Sequence, residues 1–181
     1  SGNAGNDIIS SVSGANALSG NDGDDAITGG TGVDTILGGD GVDTIIGAGG
    51  NDIINGNDGN DIISSASGAN TLNGNGGDDA ITGGTGVDTI DGGLGVDTII
   101  GAGGNDIING GDGNDIISSV SGVNVMNGGS GNDSITGGTG ADTISGNAGV
   151  DTILANQAGA DIISSGAGAD IINITDTTAI D

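Results

Sequence analysis

The chain has 181 residues, of which 44 are Gly and 25 are acidic, all of them Asp; Lys, Arg, His, Cys, Pro and aromatic residues are absent, and the formal net charge is −25. Such a polyanion can form no internal side-chain salt bridge, so compaction calls for external cations, and the lack of basic residues excludes nucleic acid and anionic membrane surfaces as partners. No apolar run is long enough to span a bilayer, and with only Asp, Ser and Thr left as reactive groups no enzymatic activity is expected.

Composition alone would describe a disordered chain; periodicity argues otherwise. From the first turn onward an Asp or Asn recurs every nine residues: Asp7, Asn16, Asp25, Asp34, Asp43, Asp52, Asp61, Asn70, Asp79, Asp88, Asp97, Asp106, Asp115, Asn124, Asp133, Asp142 and Asp151. One extra residue near Gln157 shifts the last two to Asp161 and Asp170. Two positions after each comes an aliphatic residue, from Ile9, Leu18 and Ile27 through Met126 to Ile163 and Ile172.

Each unit reads G-G-x-G-x-D-x-U-x, with U aliphatic, as in Gly29-Gly30-Thr31-Gly32-Val33-Asp34-Thr35-Ile36-Leu37. In chain order, each glycine half is expected to turn and each D-x-U-x half to form a short strand, beginning with Asp7-Ile8-Ile9-Ser10. The period-2 rule sends U to the interior and its two neighbours outward. With no aromatic residue in the chain, the core has to be built from Ile, Val, Leu and Ala. A longer period is superimposed: S-x-S-G-x-N begins at Ser11, Ser65 and Ser119, and G-G-T-G at Gly29, Gly83 and Gly137, both 54 residues apart. Fixed-period similarity of this kind predicts a solenoid whose units are stable only when stacked. It runs as one continuous domain over residues 1–173, with 174–181 outside the repeat, and the start in mid-pattern at Ser1 suggests a processed or excised piece.

These units resemble the calcium-binding nonapeptides of the repeats-in-toxin (RTX) family over about residues 2 to 173. The resemblance implies an all-β parallel β-roll in which two nonapeptides make one 18-residue coil, giving a 54-residue super-repeat of three coils. Odd-numbered units then form one edge and even-numbered units the other. It also implies multiple Ca²⁺ ions between consecutive turns of one edge, held by backbone carbonyls of the glycine turns and by the motif carboxylates. The residues matching the motif Asp are Asp7, Asp25, Asp34, Asp43, Asp52, Asp61, Asp79, Asp88, Asp97, Asp106, Asp115, Asp133, Asp142, Asp151, Asp161 and Asp170. Calcium suits such a donor set because it takes six to eight oxygens with tolerant geometry. An Ala at the turn glycines is expected to be costly.

Sorting by edge exposes an asymmetry. The odd edge has Asp at every motif position and carries the further turn acids Asp22, Asp24, Asp40, Asp58, Asp78 and Asp112. The even edge is interrupted every third coil by Asn16, Asn70 and Asn124, expected as weakened or absent calcium sites held by side-chain hydrogen bonds to the backbone. Stacked carboxylates about 4.8 Å apart would repel by about 1 kcal/mol per neighbouring pair even in water, so metal has to bind before the chain folds.

The outward pairs of the odd sheet, such as Ile8/Ser10, Ala26/Thr28 and Thr44/Ile46, form a regular face expected to pack on another copy. Unpaired strands at the two ends of a solenoid offer a second, end-to-end route to self-association. The functional expectation is an extracellular, secreted, calcium-stabilised structural solenoid, either a self-associating filament or surface-layer subunit or the stiff spacer of a large surface protein. The alternatives are the repeat segment of a secreted toxin or enzyme, and a calcium-dependent ice-binding solenoid. For the last, the turn threonines Thr31, Thr85 and Thr139 recur only every third coil, which breaks the rank such a surface needs.

At neutral pH the chain is expected to give a disordered circular dichroism spectrum in chelator and a β spectrum on adding Ca²⁺, because only the folded state presents the ion sites. A β spectrum that persists in excess chelator at neutral pH contradicts this.

Overall fold

Gly-rich turns separated by three- or four-residue runs of Ile, Thr, Val and Ala favour short strands over helices, since β-branched side chains fit a pleated surface. The computed structural model describes residues 1–155 and 159–174, and among them there is no helix. Nineteen strands follow in order: β1 (Ile8–Ser10), β2 (Ala17–Asp22), β3 (Ala26–Thr28), β4 (Thr35–Asp40), β5 (Thr44–Gly49), β6 (Ile53–Asp58), β7 (Ile62–Ser67), β8 (Thr71–Gly76), β9 (Ala80–Thr82) and β10 (Thr89–Leu94). They continue as β11 (Thr98–Ile100), β12 (Ile107–Asp112), β13 (Ile116–Ser118), β14 (Val125–Ser130), β15 (Ser134–Thr136), β16 (Thr143–Ala148), β17 (Thr152–Ala155), β18 (Ile162–Ala167) and β19 (Ile171–Ile174).

The odd strands form one ten-stranded sheet in sequence order and the even strands one nine-stranded sheet. Every pairing is parallel and, up to β16 and β17, joins residues 18 apart, as in Ile9↔Ile27 and Leu72↔Ile90, with one register shift between β5 and β7 where Ala48 pairs with Ser65. This is the expected roll of 18-residue coils. The extra residue near Gln157 lies outside the described residues, but its effect is visible: Thr143 pairs with Ile162, a spacing of 19. The expected departure from the repeat over 174–181 falls, from residue 175 on, outside the described residues.

The core is two facing files of one side chain per coil. Ile27, Ile45 and Ile63 continue to Ile153 along one sheet, and Ile36, Ile54 and Leu72 continue to Ile144 along the other, none more than 1% exposed. Ile9, Leu18 and Ile163 are only partly buried. Ile172, expected inside, is 42% exposed, because β19 is the last strand of its sheet among the described residues and no described coil packs over it. Burial of these files stabilises by roughly 1.5–3 kcal/mol per side chain, against the backbone entropy of nine ordered residues per unit.

The turn glycines are of two kinds. At the fourth position of each unit the backbone is left-handed and tightly stacked: Gly50 has φ 137°, and a Cβ there would overlap the Gly32 carbonyl of the previous coil. The second position is also left-handed but not glycine-only. It holds Ala48 and Ala102 at φ 70° and 69°, and Asn21, Asn57, Asn75 and Asn147 at 71–83°. The expectation that Ala is costly throughout the turn is thus corrected at Ala48 and Ala102, where the backbone near 70° costs a Cβ only about 1–2 kcal/mol; at Gly39 and Gly93, with φ 131° and 112°, a Cβ would still overlap the backbone of the previous coil. In calcium-loaded protein followed by thermal unfolding, Ala48→Gly is expected to stabilise by about 0.5–1 kcal/mol, strain relief partly offset by chain entropy. Gly50→Ala is expected to destabilise by about 3 kcal/mol or more.

Candidate metal centre

The D of each unit ends a glycine turn and opens a strand, so one residue is anchored by both elements. Coil stacking then aligns the sixth positions into two columns, one per edge. In each column the backbone N–H of one motif residue donates to the side-chain Oδ1 of the residue one coil further on: Asp25 to Asp43 at 2.8 Å, Asp34 to Asp52 at 2.9 Å, Asp97 to Asp115 at 2.9 Å. The ladder continues through the last pairs, Asp142 to Asp161 at 2.9 Å and Asp151 to Asp170 at 3.0 Å.

The carboxylates are therefore not on the rim of the coil, where turn residues usually sit, but inside it. Thirteen of the sixteen motif Asp residues are at most 3% exposed: Asp25, Asp34, Asp43, Asp52, Asp61, Asp79, Asp88, Asp97, Asp106, Asp115, Asp133, Asp142 and Asp151. In each of them the second carboxylate oxygen, Oδ2, is buried with no hydrogen-bond partner. The other three, Asp7, Asp161 and Asp170, are half-buried in the outer coils, and Asp7 Oδ2 accepts from the Asn3 N–H at 2.8 Å.

The orphaned oxygens share one environment. Each lies against the first glycine of its own unit, in the space a Cβ would take. A Cβ built on Gly29 would stand 2.6 Å from Asp34 Oδ2 and 3.1 Å from the Gly47 carbonyl oxygen of the next coil. At Gly83 the same two partners, Asp88 Oδ2 and Gly101 O, lie at 2.7 and 3.1 Å. Glycine at the first position is thus a requirement of the carboxylate, which no turn rule reveals. Among the described residues no three acidic side chains converge on one point, so any ion held here must complete its shell with backbone carbonyls. Buried carboxylate oxygens without donors, beside glycine carbonyls of the next coil, form a hard, all-oxygen donor set, and a calcium ion fits it. When bound, such an ion neutralises the buried charge and links successive coils.

Burial raises the pKa of ten of these carboxyls from the ordinary 3.8. Asp61, Asp115 and Asp133 rise to about 6 and Asp79 to about 7, with charged neighbours adding to the effect and the backbone N–H bond opposing it. Asp43, Asp52, Asp88, Asp97, Asp106 and Asp142 rise for the same leading reason.

The further acids of the odd edge behave differently. Asp22, Asp40 and Asp58 are in-register neighbours at the ends of β2, β4 and β6 and are exposed. Asp24 and Asp78, at the fifth position, accept the backbone N–H of Val42 and Val96 of the next coil at 2.9 and 2.8 Å. Asn51, Asn60, Asn105, Asn114 and Asn132 do the same for Ala69, Asp78, Val123, Asn132 and Val150. These fifth-position brackets run opposite in direction to the Asp ladder. The signal for them was an Asn or Asp directly before the motif residue, which reading for charge alone passes over.

A family model of the RTX calcium-binding nonapeptide repeat, four copies long, matches residues 1–36, 37–72, 65–99, 91–126, 118–153 and 157–173. A search of curated proteins found no match.

A carboxyl whose pKa rises on folding takes up a proton as the chain folds. The metal-free fold is therefore favoured below about pH 4 and loses that support as pH rises through about 6 to 7. Metal-stripped protein is expected to show β circular dichroism at pH 3 that disappears by pH 8, with Ca²⁺ restoring it at pH 8. A β signal that grows with pH in the absence of metal contradicts this.

Proposed function

Because the chain belongs to the RTX calcium-binding nonapeptide repeat family, we propose that this calcium-binding repeat segment is an extracellular structural element: a solenoid set by Ca²⁺ that serves as a self-associating filament or surface-layer subunit, or as the stiff spacer of a large surface protein. The observation that carries the reading is uniformity. From Ile8 to Ile174 the described strands stack in parallel, and among the described residues no loop leaves the solenoid and no cavity opens in it. A chain that repeats one coil throughout, with outward side chains that recur every 54 residues, supplies length and stiffness rather than a recognition site.

Calcium fits this role through the columns of buried carboxylates. Where Ca²⁺ is plentiful, outside the cell, the ions would hold the thirteen orphaned oxygens; before export, the unneutralised chain would stay unfolded. The residues that would hold the ions are the motif Asp residues together with first-position glycine carbonyls such as those of Gly38, Gly47 and Gly101.

Charge supports lateral association through the ten-stranded sheet. Its outward files carry Ile8, Ala26 and Thr44 beside Ser10, Thr28 and Ile46, and this set recurs in the next three coils as Ile62, Ala80 and Thr98 beside Ser64, Thr82 and Ile100. No acid stands in either file. On a molecule of net charge −25, this strip is where two copies approach with the least repulsion. It also exposes Ile62 and Ile116, each more than half accessible.

Electron microscopy of the calcium-loaded protein tests the reading. The expected particles are rods about 45 Å long, ten strands at about 4.8 Å, joined into filaments or side-by-side arrays. Rods that stay single at high concentration would leave the spacer alone, and particles without rod shape would overturn the proposal.

A further inference from the structure

The three Asn units differ from the Asp units at four places at once. At the first position Asp units through Asp151 have Gly, and Asn units have Ser11, Ser65 and Ser119. At the second, Asn units have Val12, Ala66 and Val120, and the left-handed backbone of Gly30 or Ala48 is absent there. At the eighth, the described Asp units have Ile, and Asn units have Leu18, Leu72 and Met126. Two later units depart at the first position: that of Asp161, which follows the extra residue and has Asn156 there, and that of the half-buried Asp170, which has Ser165.

Sterics tie these changes together. A Cβ on the first glycine of an Asp unit meets the motif Oδ2 and also the core isoleucine, Ile36 Cδ1 at 3.1 Å from Gly29 and Ile90 Cδ1 at 3.1 Å from Gly83. Among the units whose motif residue is fully buried, serine stands at the first position only where the carboxylate is gone and the core residue is Leu or Met. Ser65 and Ser119 are in fact buried, their hydroxyls donating to the Ala48 and Ala102 carbonyls at 3.3 and 3.2 Å.

In these units the atom at the Oδ2 place is an amide donor that finds acceptors of its own. Asn70 is 2% exposed. Its Oδ1 accepts the Asp52 N–H at 3.0 Å, which turns Nδ2 toward the next coil, where it donates to Asp88 Oδ1 at 2.9 Å and also to the Gly68 carbonyl at 3.2 Å. Asn124 repeats this on Asp142 at 3.0 Å, and Asn16 on Asp34 at 2.8 Å. The second-position carbonyl receives two donors from the threonine one coil on: Ala66 O accepts Thr85 N–H at 3.1 Å and Thr85 Oγ1 at 3.2 Å, with Thr31 on Val12 and Thr139 on Val120 alike. This accounts for a threonine at that turn in every third coil only.

We infer that the Ser-Asn turns, each with the threonine that follows it, are cation-free staples that replace a bound Ca²⁺ by a carboxamide bridge between coils, so the even edge holds its ions in groups interrupted every third coil while the odd-edge column is uninterrupted. The inference rests on the calcium reading above. Within one coil it fixes which turns carry an ion and which do not, from the residues at positions one, two, six and eight.

Counting bound Ca²⁺ by native mass spectrometry tests it. The module swap Ser65→Gly, Ala66→Gly, Asn70→Asp, Leu72→Ile is expected to bind one ion more than the unaltered protein, and Ser65→Gly with Ala66→Gly alone to bind the same number. The reverse swap, Gly83→Ser, Gly84→Ala, Asp88→Asn, Ile90→Leu, removes one ion and keeps the β spectrum, and it serves if the first swap fails to fold. Equal counts in the unaltered protein and in a folded full swap overturn this inference alone. No Ca²⁺ on the unaltered protein overturns the calcium reading and the inference with it.

Discussion

A buried carboxylate with one oxygen bonded and the other orphaned is the constraint on which this molecule turns. Asp34 is fully buried, its Oδ1 accepts the backbone N–H and the Nδ2 of Asn16, and its Oδ2 faces a glycine and a carbonyl oxygen with no hydrogen-bond partner. Leaving a charge in that state costs several kcal/mol, and the arrangement recurs along two columns in a chain that has no Lys or Arg to answer it. The hydrophobic files are too thin to absorb that cost. Folding is therefore conditional on neutralisation, by protons at low pH or by a divalent ion at neutral pH.

The remainder of the architecture follows from giving each carboxylate that position. Glycine stands at the first place because Oδ2 occupies the Cβ volume, and at the fourth because the turns stack backbone on backbone. Isoleucine at the eighth position fills a core one residue wide per sheet, which is why the chain manages without aromatic residues. Asparagine and aspartate at the fifth position bracket the next coil in the opposite sense to the motif ladder. The coil is thus held by two antiparallel sets of side-chain to backbone bonds on each edge, with the metal-type oxygens between the turns.

The Asn units show the same coil solved a second way. Where Asn70 stands, an amide supplies donors in place of an ion, Ser65 fills the vacated Cβ volume, Leu72 clears it, and Thr85 caps the freed carbonyl. Four residues change together although they are spread over twenty-one positions of sequence, because stacking brings their coils side by side.

Much of this was legible in the sequence. The nine-residue spacing of Asp and the aliphatic residue two places later determined a solenoid and the identity of its core, because periodicity and side-chain alternation are local geometry, while the 18-residue coil and the parallel strand direction came from the resemblance to the RTX nonapeptide. The edge asymmetry and the amide character of Asn16, Asn70 and Asn124 were visible for the same reason. What only the tertiary structure decided was depth and direction: that the motif carboxylates point inward, that Oδ1 and Oδ2 have different partners, that Ala48 is tolerated where Ala at Gly50 would collide, and that Ile172 is half uncovered on the outer coil. Those are properties of contacts between residues 18 apart, and a single nonapeptide holds no record of what the next coil places against it.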